Sequence, residues 1–121
     1  MAVESRETAG LIGSDKVEGT TVYDARGEKM GSIERVMINK RSGQVAYAVL
    51  SFGGILGIGS DYYPIPWSSL KYDTSLGGYR LDLTEAQITG APKYSGESWD
   101  WEDRARGRQV NEYYGIPYFD Y

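Results

Sequence analysis

The run from Gln44 to Phe52 constrains the fold more than any other part of this 121-residue chain. Successive side chains of a β-strand point to opposite faces, and here both faces are apolar. The two sets are Val45, Tyr47 and Val49 on one face and Ala46, Ala48, Leu50 and Phe52 on the other. We expect such a strand to be central in its sheet or to be covered from outside the sheet.

Short β-type segments separated by glycine-containing turns extend from Leu11 to about Ala91, which is typical of a small barrel or sandwich. In the segment Gly31–Asn39, the apolar alternation fails between Ile33 and Val36. A β-bulge there would place Ile33, Val36 and Ile38 on one face. The sequence therefore predicts a mainly β domain over residues 11–91, preceded by a loose arm over residues 1–10.

Two further signals locate strand and helix ends within this domain. The segment Asp61–Trp67 carries Pro64 and Pro66, which favours an edge strand or a strand end because proline donates no ladder hydrogen bond. Thr84 is placed to cap a short helical turn over Glu85–Ile88.

The composition changes after Pro92, and residues 92–121 form an aromatic-rich extension. We expect one helix there, capped by Ser98, running from Trp99 to about Tyr114 and ended by Gly115. Large aromatics of this kind pack on their own domain or on another chain. The sequence leaves both fates open, and in the first case the extension would cover the strand Gln44–Phe52.

Three stretches in order resemble the PRC-barrel family. They are Gly19–Ile33, a Gly-x-x-Val run with a Gly-Glu-x-x-Gly-x-Ile turn; Ile38–Val49, a strand–turn–Gly–strand unit; and the glycine-rich loop Phe52–Gly59 followed by Tyr63-Pro-Ile-Pro-Trp67. The resemblance implies a small six-stranded antiparallel barrel that serves as a scaffold or interaction fold without catalytic residues. The family includes the cytoplasmic barrel of the photosynthetic reaction-centre H subunit and the second domain of a ribosome-maturation factor.

The residue inventory narrows the chemistry of the chain. It has no cysteine and no histidine, which excludes disulfides, thiolate or imidazole metal sites, and nucleophilic catalysis by either residue. Thirteen basic and 17 acidic residues give a formal net charge of −4, which disfavours nucleic acid as a partner. We expect no cofactor, no metal and no catalytic residue.

The loop Gly53–Gly59 and the carboxylates offer little chemistry of their own. The loop lacks the Lys-Ser/Thr that follows a phosphate-binding loop, and its glycines do not follow the dinucleotide-binding order. We interpret Asp61, Asp73, Asp82 and Glu85 as solvated surface groups, since isolated carboxylates are mostly exposed.

The amino-terminal residues have neither the basic nor the apolar region of a signal peptide. The longest apolar stretch, Phe52–Ile58, is broken by glycines and is too short to span a bilayer. We therefore expect a cytoplasmic protein that reaches a membrane only through a partner.

We interpret the chain as a non-catalytic binding module that forms a homo-oligomer and contacts an unidentified protein. The alternative is an accessory domain of a membrane-bound, reaction-centre-like complex or of a ribosome-maturation complex. Aliphatic side chains in a loop and aromatics in the extension are the expected contact residues. They are Ile55, Leu56, Ile58, Trp99, Trp101, Tyr113 and Tyr114.

Overall fold

The computed structural model describes residues 5–52, 61–94 and 99–118. Its strands are β1 (Thr21–Tyr23), β2 (Lys29–Ile38), β3 (Val45–Phe52), β4 (Asp61–Pro66), β5 (Leu70–Asp73) and β6 (Gly78–Leu81). Its helices are α1 (Ser14–Val17), α2 (Glu85–Thr89) and α3 (Arg104–Tyr114), and a 3-10 turn spans Trp67–Ser69. In the described ranges, no helix is long and apolar enough to cross a membrane.

The six strands form one sheet in the order β4-β3-β2-β1-β6-β5, curved into a half-barrel. Its pairs are antiparallel except β1 with β6, which run parallel with Val22 opposite Tyr79. The predicted six-stranded sheet is confirmed, and it is mostly antiparallel, with one parallel pair that the prediction did not include. The 3-10 turn connects β4 at one edge of the sheet to β5 at the other edge, and these two strands run in the same direction. Because β6 is antiparallel to β5, it runs parallel to β1.

The predicted irregularity in β2 is present. The register with β3 shifts between Ile33 and Arg35, so Ile33 pairs with Leu50 and is buried. A second shift lies between Met37 and Ile38, which the sequence pattern did not indicate. Beyond that shift Ile38 is exposed, and it does not continue the buried face that Ile33 begins.

The main core fills the concave side of the sheet. Side chains from all six strands meet there with Val17 of α1 and Ile88 of α2. Its most deeply buried members include Val22, Ile33, Leu50, Ile65, Leu81 and Ile88. Thr84 caps α2 through a capping box with Gln87, which confirms the predicted helical turn and fixes how Ile88 enters the core.

A second, smaller core lies on the other face of β3 and confirms that this strand is two-sided. Its buried members are Tyr47, Trp99 and Val110, so residues 99–118, here named the C-terminal cover, pack on the barrel of their own chain. The Tyr47 hydroxyl donates a 2.6 Å hydrogen bond to Asn111 Oδ1, and Asn111 Nδ2 donates to the Pro117 carbonyl oxygen at 2.9 Å. Buried polar groups paired in this way fix the position of α3 on the sheet.

The helix of the C-terminal cover begins later than the sequence predicted. Asp103 is its N-cap and accepts a hydrogen bond from the Arg106 N–H, whereas Trp99 lies outside the helix and Ser98 lies outside the described residues. The Asp100 carboxylate accepts from the Glu102 N–H at 3.0 Å, a local bond that competes with helix formation. Gly115 ends the helix with φ of 70°, as expected.

The outer edge of β4 is closed, which agrees with its predicted edge position. Tyr62 exchanges two backbone hydrogen bonds with Tyr94, of 2.8 and 2.9 Å, on the side away from β3. Backbone groups alternate sides along a strand, so Pro64 and Pro66 also direct their nitrogens to this outer side. The prolines therefore cost β4 no hydrogen bond to β3 and prevent further strands from pairing there.

We expect Tyr47→Phe to lower the free energy of unfolding by about 1–2 kcal/mol, because a buried Asn111 oxygen loses its hydroxyl donor. Urea denaturation measures the change. The matched control is Tyr62→Phe, which removes from a half-buried tyrosine a hydroxyl that has no hydrogen bond to the described residues. Equal stability of the two variants would contradict the role assigned to the Tyr47–Asn111 bond.

Candidate interaction surfaces

The two tryptophans of the C-terminal cover pack within their own chain. Trp99 is buried, with its ring centroid 5.8 Å from that of Tyr94 and 6.4 Å from that of Trp101. The Arg106 guanidinium lies 5.0 Å from the Trp99 ring, a cation–π distance. The half-buried Trp101 ring lies 5.5 Å from that of Tyr47, so both tryptophans complete the second core.

The adjacent tyrosines of α3 have different environments. Tyr113 is partly exposed, and its hydroxyl donates a hydrogen bond to the Gln87 carbonyl oxygen of α2. Tyr114 packs against both cores, and its buried hydroxyl has no hydrogen-bond partner among the described residues. Burial raises the pKa of the Tyr114 hydroxyl well above its usual value, and the neighbouring Tyr113 and Tyr63 raise it further.

The structure thus brings together four of the seven predicted contact residues, all against their own barrel. Of these, Tyr113 keeps a substantial exposed surface. The other three, Ile55, Leu56 and Ile58, lie outside the described residues in the segment that joins β3 to β4.

A groove of about 220 Å³ opens between the amino-terminal segment and the strands β5 and β6. Leu11, Ile12, Tyr72 and Tyr79 supply its apolar lining. Tyr72 and Tyr79 face each other across the β5–β6 pair, with ring centroids 5.1 Å apart in an edge-to-face arrangement. Leu11 and Tyr72 both have exposed side chains, so this groove presents apolar surface to solvent.

Glu7 holds the amino-terminal segment in this position. Its carboxylate lies 2.5 Å from Lys16 Nζ and accepts a 2.5 Å hydrogen bond from the Tyr72 hydroxyl. The hydrogen bond from Lys16 is the main cause of the lowered pKa of Glu7, and the hydrogen bond from Tyr72 lowers it further. The Tyr72–Glu7 hydrogen bond also raises the pKa of the Tyr72 hydroxyl. Part of the predicted loose arm is therefore docked against β5.

The outward face of the β5–β6 pair is charged. Lys71 lies directly opposite Arg80, and both cations point away from the core. The Arg80 guanidinium lies 3.7 Å from Asp73 and 3.2 Å from Asp82. Asp73 also accepts from the Ser75 hydroxyl and backbone in the β5–β6 turn, and the Ser75 hydroxyl is the main cause of its lowered pKa.

Three of the four carboxylates that the sequence singled out, Asp61, Asp73 and Asp82, have ion-pair partners. Asp73 and Asp82 flank one arginine, and Asp61 pairs with Lys93 at 3.1 Å. These contacts neutralise the carboxylates instead of aiming two of them at a shared substrate. Over residues 5–52, 61–94 and 99–118, no group of three or more Asp and Glu side chains is placed to hold a metal ion.

The groove and its residues Glu7, Leu11 and Tyr72 were not predictable from the sequence. Glu7 and Tyr72 are 65 positions apart, and nothing in the local pattern of either links them. The exposed Leu11 carried no signal because an isolated apolar residue near the start of a strand pattern is normally counted as core.

Tyr114→Phe is expected to raise the free energy of unfolding by about 1 kcal/mol at neutral pH, because it removes a buried, unpartnered hydroxyl. The pKa of Tyr114 in the folded chain is above the value of about 10 for an unfolded tyrosine. The folded chain therefore favours the protonated hydroxyl over the phenolate, and the stability of the parent declines as the pH rises beyond about 10. The variant is expected to lose less stability than the parent in that range.

Urea unfolding from neutral pH to about pH 11 tests this expectation. The neighbouring Tyr113→Phe is the control, because it removes a hydroxyl that donates to the Gln87 carbonyl and should slightly lower stability at neutral pH. A Tyr114→Phe protein that is less stable than the parent at neutral pH, or equally sensitive to alkali, would refute the interpretation.

Two comparisons with known proteins bear on this arrangement of half-barrel, cover and groove. A search of curated proteins found no match to the chain. The family model described as "PRC-barrel domain" matches residues 10–88, which is more than half of the chain and includes all six strands. The match and the half-barrel agree with the motifs of the opening hairpin and the Pro-x-Pro-Trp strand, and the chain belongs to the PRC-barrel domain family.

Proposed function

We propose that this chain is a non-catalytic binding module that associates with a second copy of itself and presents further apolar side chains to a protein partner. Membership of the PRC-barrel family suggests a non-catalytic interaction module. Self-association and the cytoplasmic setting are our proposals. An accessory role in a larger membrane-bound or ribosomal complex would use the same kind of contacts.

One observation carries the proposal: apolar side chains stay at the surface although both faces of β3 are already buried. The exposed fractions are 76% for Leu11, 51% for Ile38, 42% for Tyr113 and 40% for Tyr72. The cover already occupies the second face of β3, so the chain needs none of these four side chains for its own interior. Leu11 and Tyr72 line the same groove, and a contiguous exposed apolar patch commonly marks a contact with another protein.

The proposed contact residues fall into two groups. Tyr113 is proposed to meet a partner, together with Ile55, Leu56 and Ile58, which lie outside the described residues. Trp99, Trp101 and Tyr114 support the contact from beneath, since they pack against β3 and position α3. Binding through the second group would first require the C-terminal cover to leave β3, which would expose the buried apolar side chains of Tyr47 and Val110.

The intact chain is therefore the right material for a test of self-association. Removing residues 92–121 would uncover Tyr47 and create a new apolar patch, so a truncated protein could aggregate for reasons unrelated to the native contact. Sedimentation equilibrium of the full chain, from low micromolar to millimolar concentration, avoids this. We expect the mass to rise towards that of a dimer, and a mass that stays monomeric at every concentration would refute self-association.

The loop aliphatics are tested separately by the variant Ile55→Ser, Leu56→Ser, Ile58→Ser. If these residues serve contacts instead of the core, each substitution changes the free energy of unfolding by no more than about 0.5 kcal/mol in a dilute, monomeric sample. Leu50→Ser is the control, because Leu50 is buried in the main core and its loss is expected to cost several-fold more. A triple variant as damaged as Leu50→Ser would show that the loop belongs to the core.

A further inference from the structure

We infer that the outer edge of β5 is the surface through which two copies of this chain join, as antiparallel neighbours in one continuous sheet. This inference rests on the proposed self-association and names its surface. The sheet has two edges, and the chain treats them differently. The β4 edge is closed by Pro64, Pro66 and the Tyr94 bridge, whereas β6 is the only described strand that pairs with β5. An open edge offers unpaired N–H and C=O groups to another strand.

The charges along β5 are complementary to a second copy of the same strand. A two-fold axis perpendicular to the sheet keeps every side chain on its own face of the sheet. Odd-numbered residues of one copy therefore lie opposite odd-numbered residues of the other, and even-numbered opposite even-numbered. In the register centred on Tyr72, Lys71 of each copy lies opposite Asp73 of the other. Symmetry therefore forms this attractive pair twice.

The neighbouring registers are unfavourable for the same reason. Centring the junction on Lys71 places two lysines opposite each other, and centring it on Asp73 does the same with two aspartates. Like charges directly opposite destabilise a strand pair, whereas opposite charges stabilise it. The charges of β5 thus favour the register centred on Tyr72 over the two registers that are shifted from it by two residues in either direction.

The surroundings of Lys71 and Tyr72 support this geometry. On its own side of the junction Lys71 faces Arg80, another cation, and the ion pairs among the described residues do not include Lys71. An aspartate from a second copy would supply the missing anion. On the opposite face, the exposed Tyr72 would meet Tyr72 of the second copy beside the apolar groove that contains Leu11.

The experiment compares the dimer dissociation constants of the parent, Lys71→Asp and Lys40→Asp by sedimentation equilibrium. Lys71→Asp replaces both attractive pairs with repulsive pairs, so we expect the dimer to weaken about tenfold or more. Lys40→Asp makes the same change of charge at an exposed residue of the turn between β2 and β3 and should leave the constant within about twofold of the parent. Circular dichroism of each monomer checks that both variants fold.

Salt supplies an independent readout. Raising the ionic strength to about 1 M shortens the screening length to about 3 Å, which should restore part of the Lys71→Asp association while slightly weakening that of the parent. A dimeric parent with Lys71→Asp and Lys40→Asp equally associated would overturn the inference and leave self-association standing. A monomeric parent would overturn both.

Discussion

The fold depends on β3 being buried on both faces. Ala48 and Leu50 enter the main core, while Tyr47 enters the second one beneath the C-terminal cover. A half-barrel alone can bury only its concave side, so a strand with two apolar faces requires another layer. The cover supplies that layer, and Asn111 fixes it by bonding to Tyr47 on the strand and to Pro117 within the cover.

Features set by local residue chemistry were predictable from the sequence. Thr84 caps its helix, Gly115 ends α3, and the paired prolines mark β4 as an edge, because each effect depends on neighbouring backbone groups. The two apolar faces of β3 likewise predicted a strand that is central in its sheet or covered from outside, since the alternation is visible in the run itself. What the pattern left open was whether a covering layer came from the same chain.

Features that depend on distant or competing contacts were not predictable. The parallel pairing of β1 with β6 follows from the connection that the 3-10 turn makes between β4 and β5 at opposite edges of the sheet. Local residue patterns do not indicate such a crossing. The start of α3 shifted to Arg104 because two aspartates make local hydrogen bonds, an effect that helix spacing alone ignores. The groove beside β5 arises from the long-range bond between Glu7 and Tyr72.

The placement of the aromatics also limits what kind of contact this module makes. Most tryptophan and tyrosine rings of the C-terminal cover pack against β3 or against one another. Few large aromatic side chains therefore remain to anchor an interface. Association through a strand edge does not need such anchors, because backbone hydrogen bonds form the junction and charged side chains choose its register. A four-residue edge buries little area, which favours a weak contact that responds to concentration and salt. Under the proposed self-association, the chain would be monomeric when dilute and would join other copies where they are concentrated, a behaviour suited to assembly rather than to permanent dimerisation.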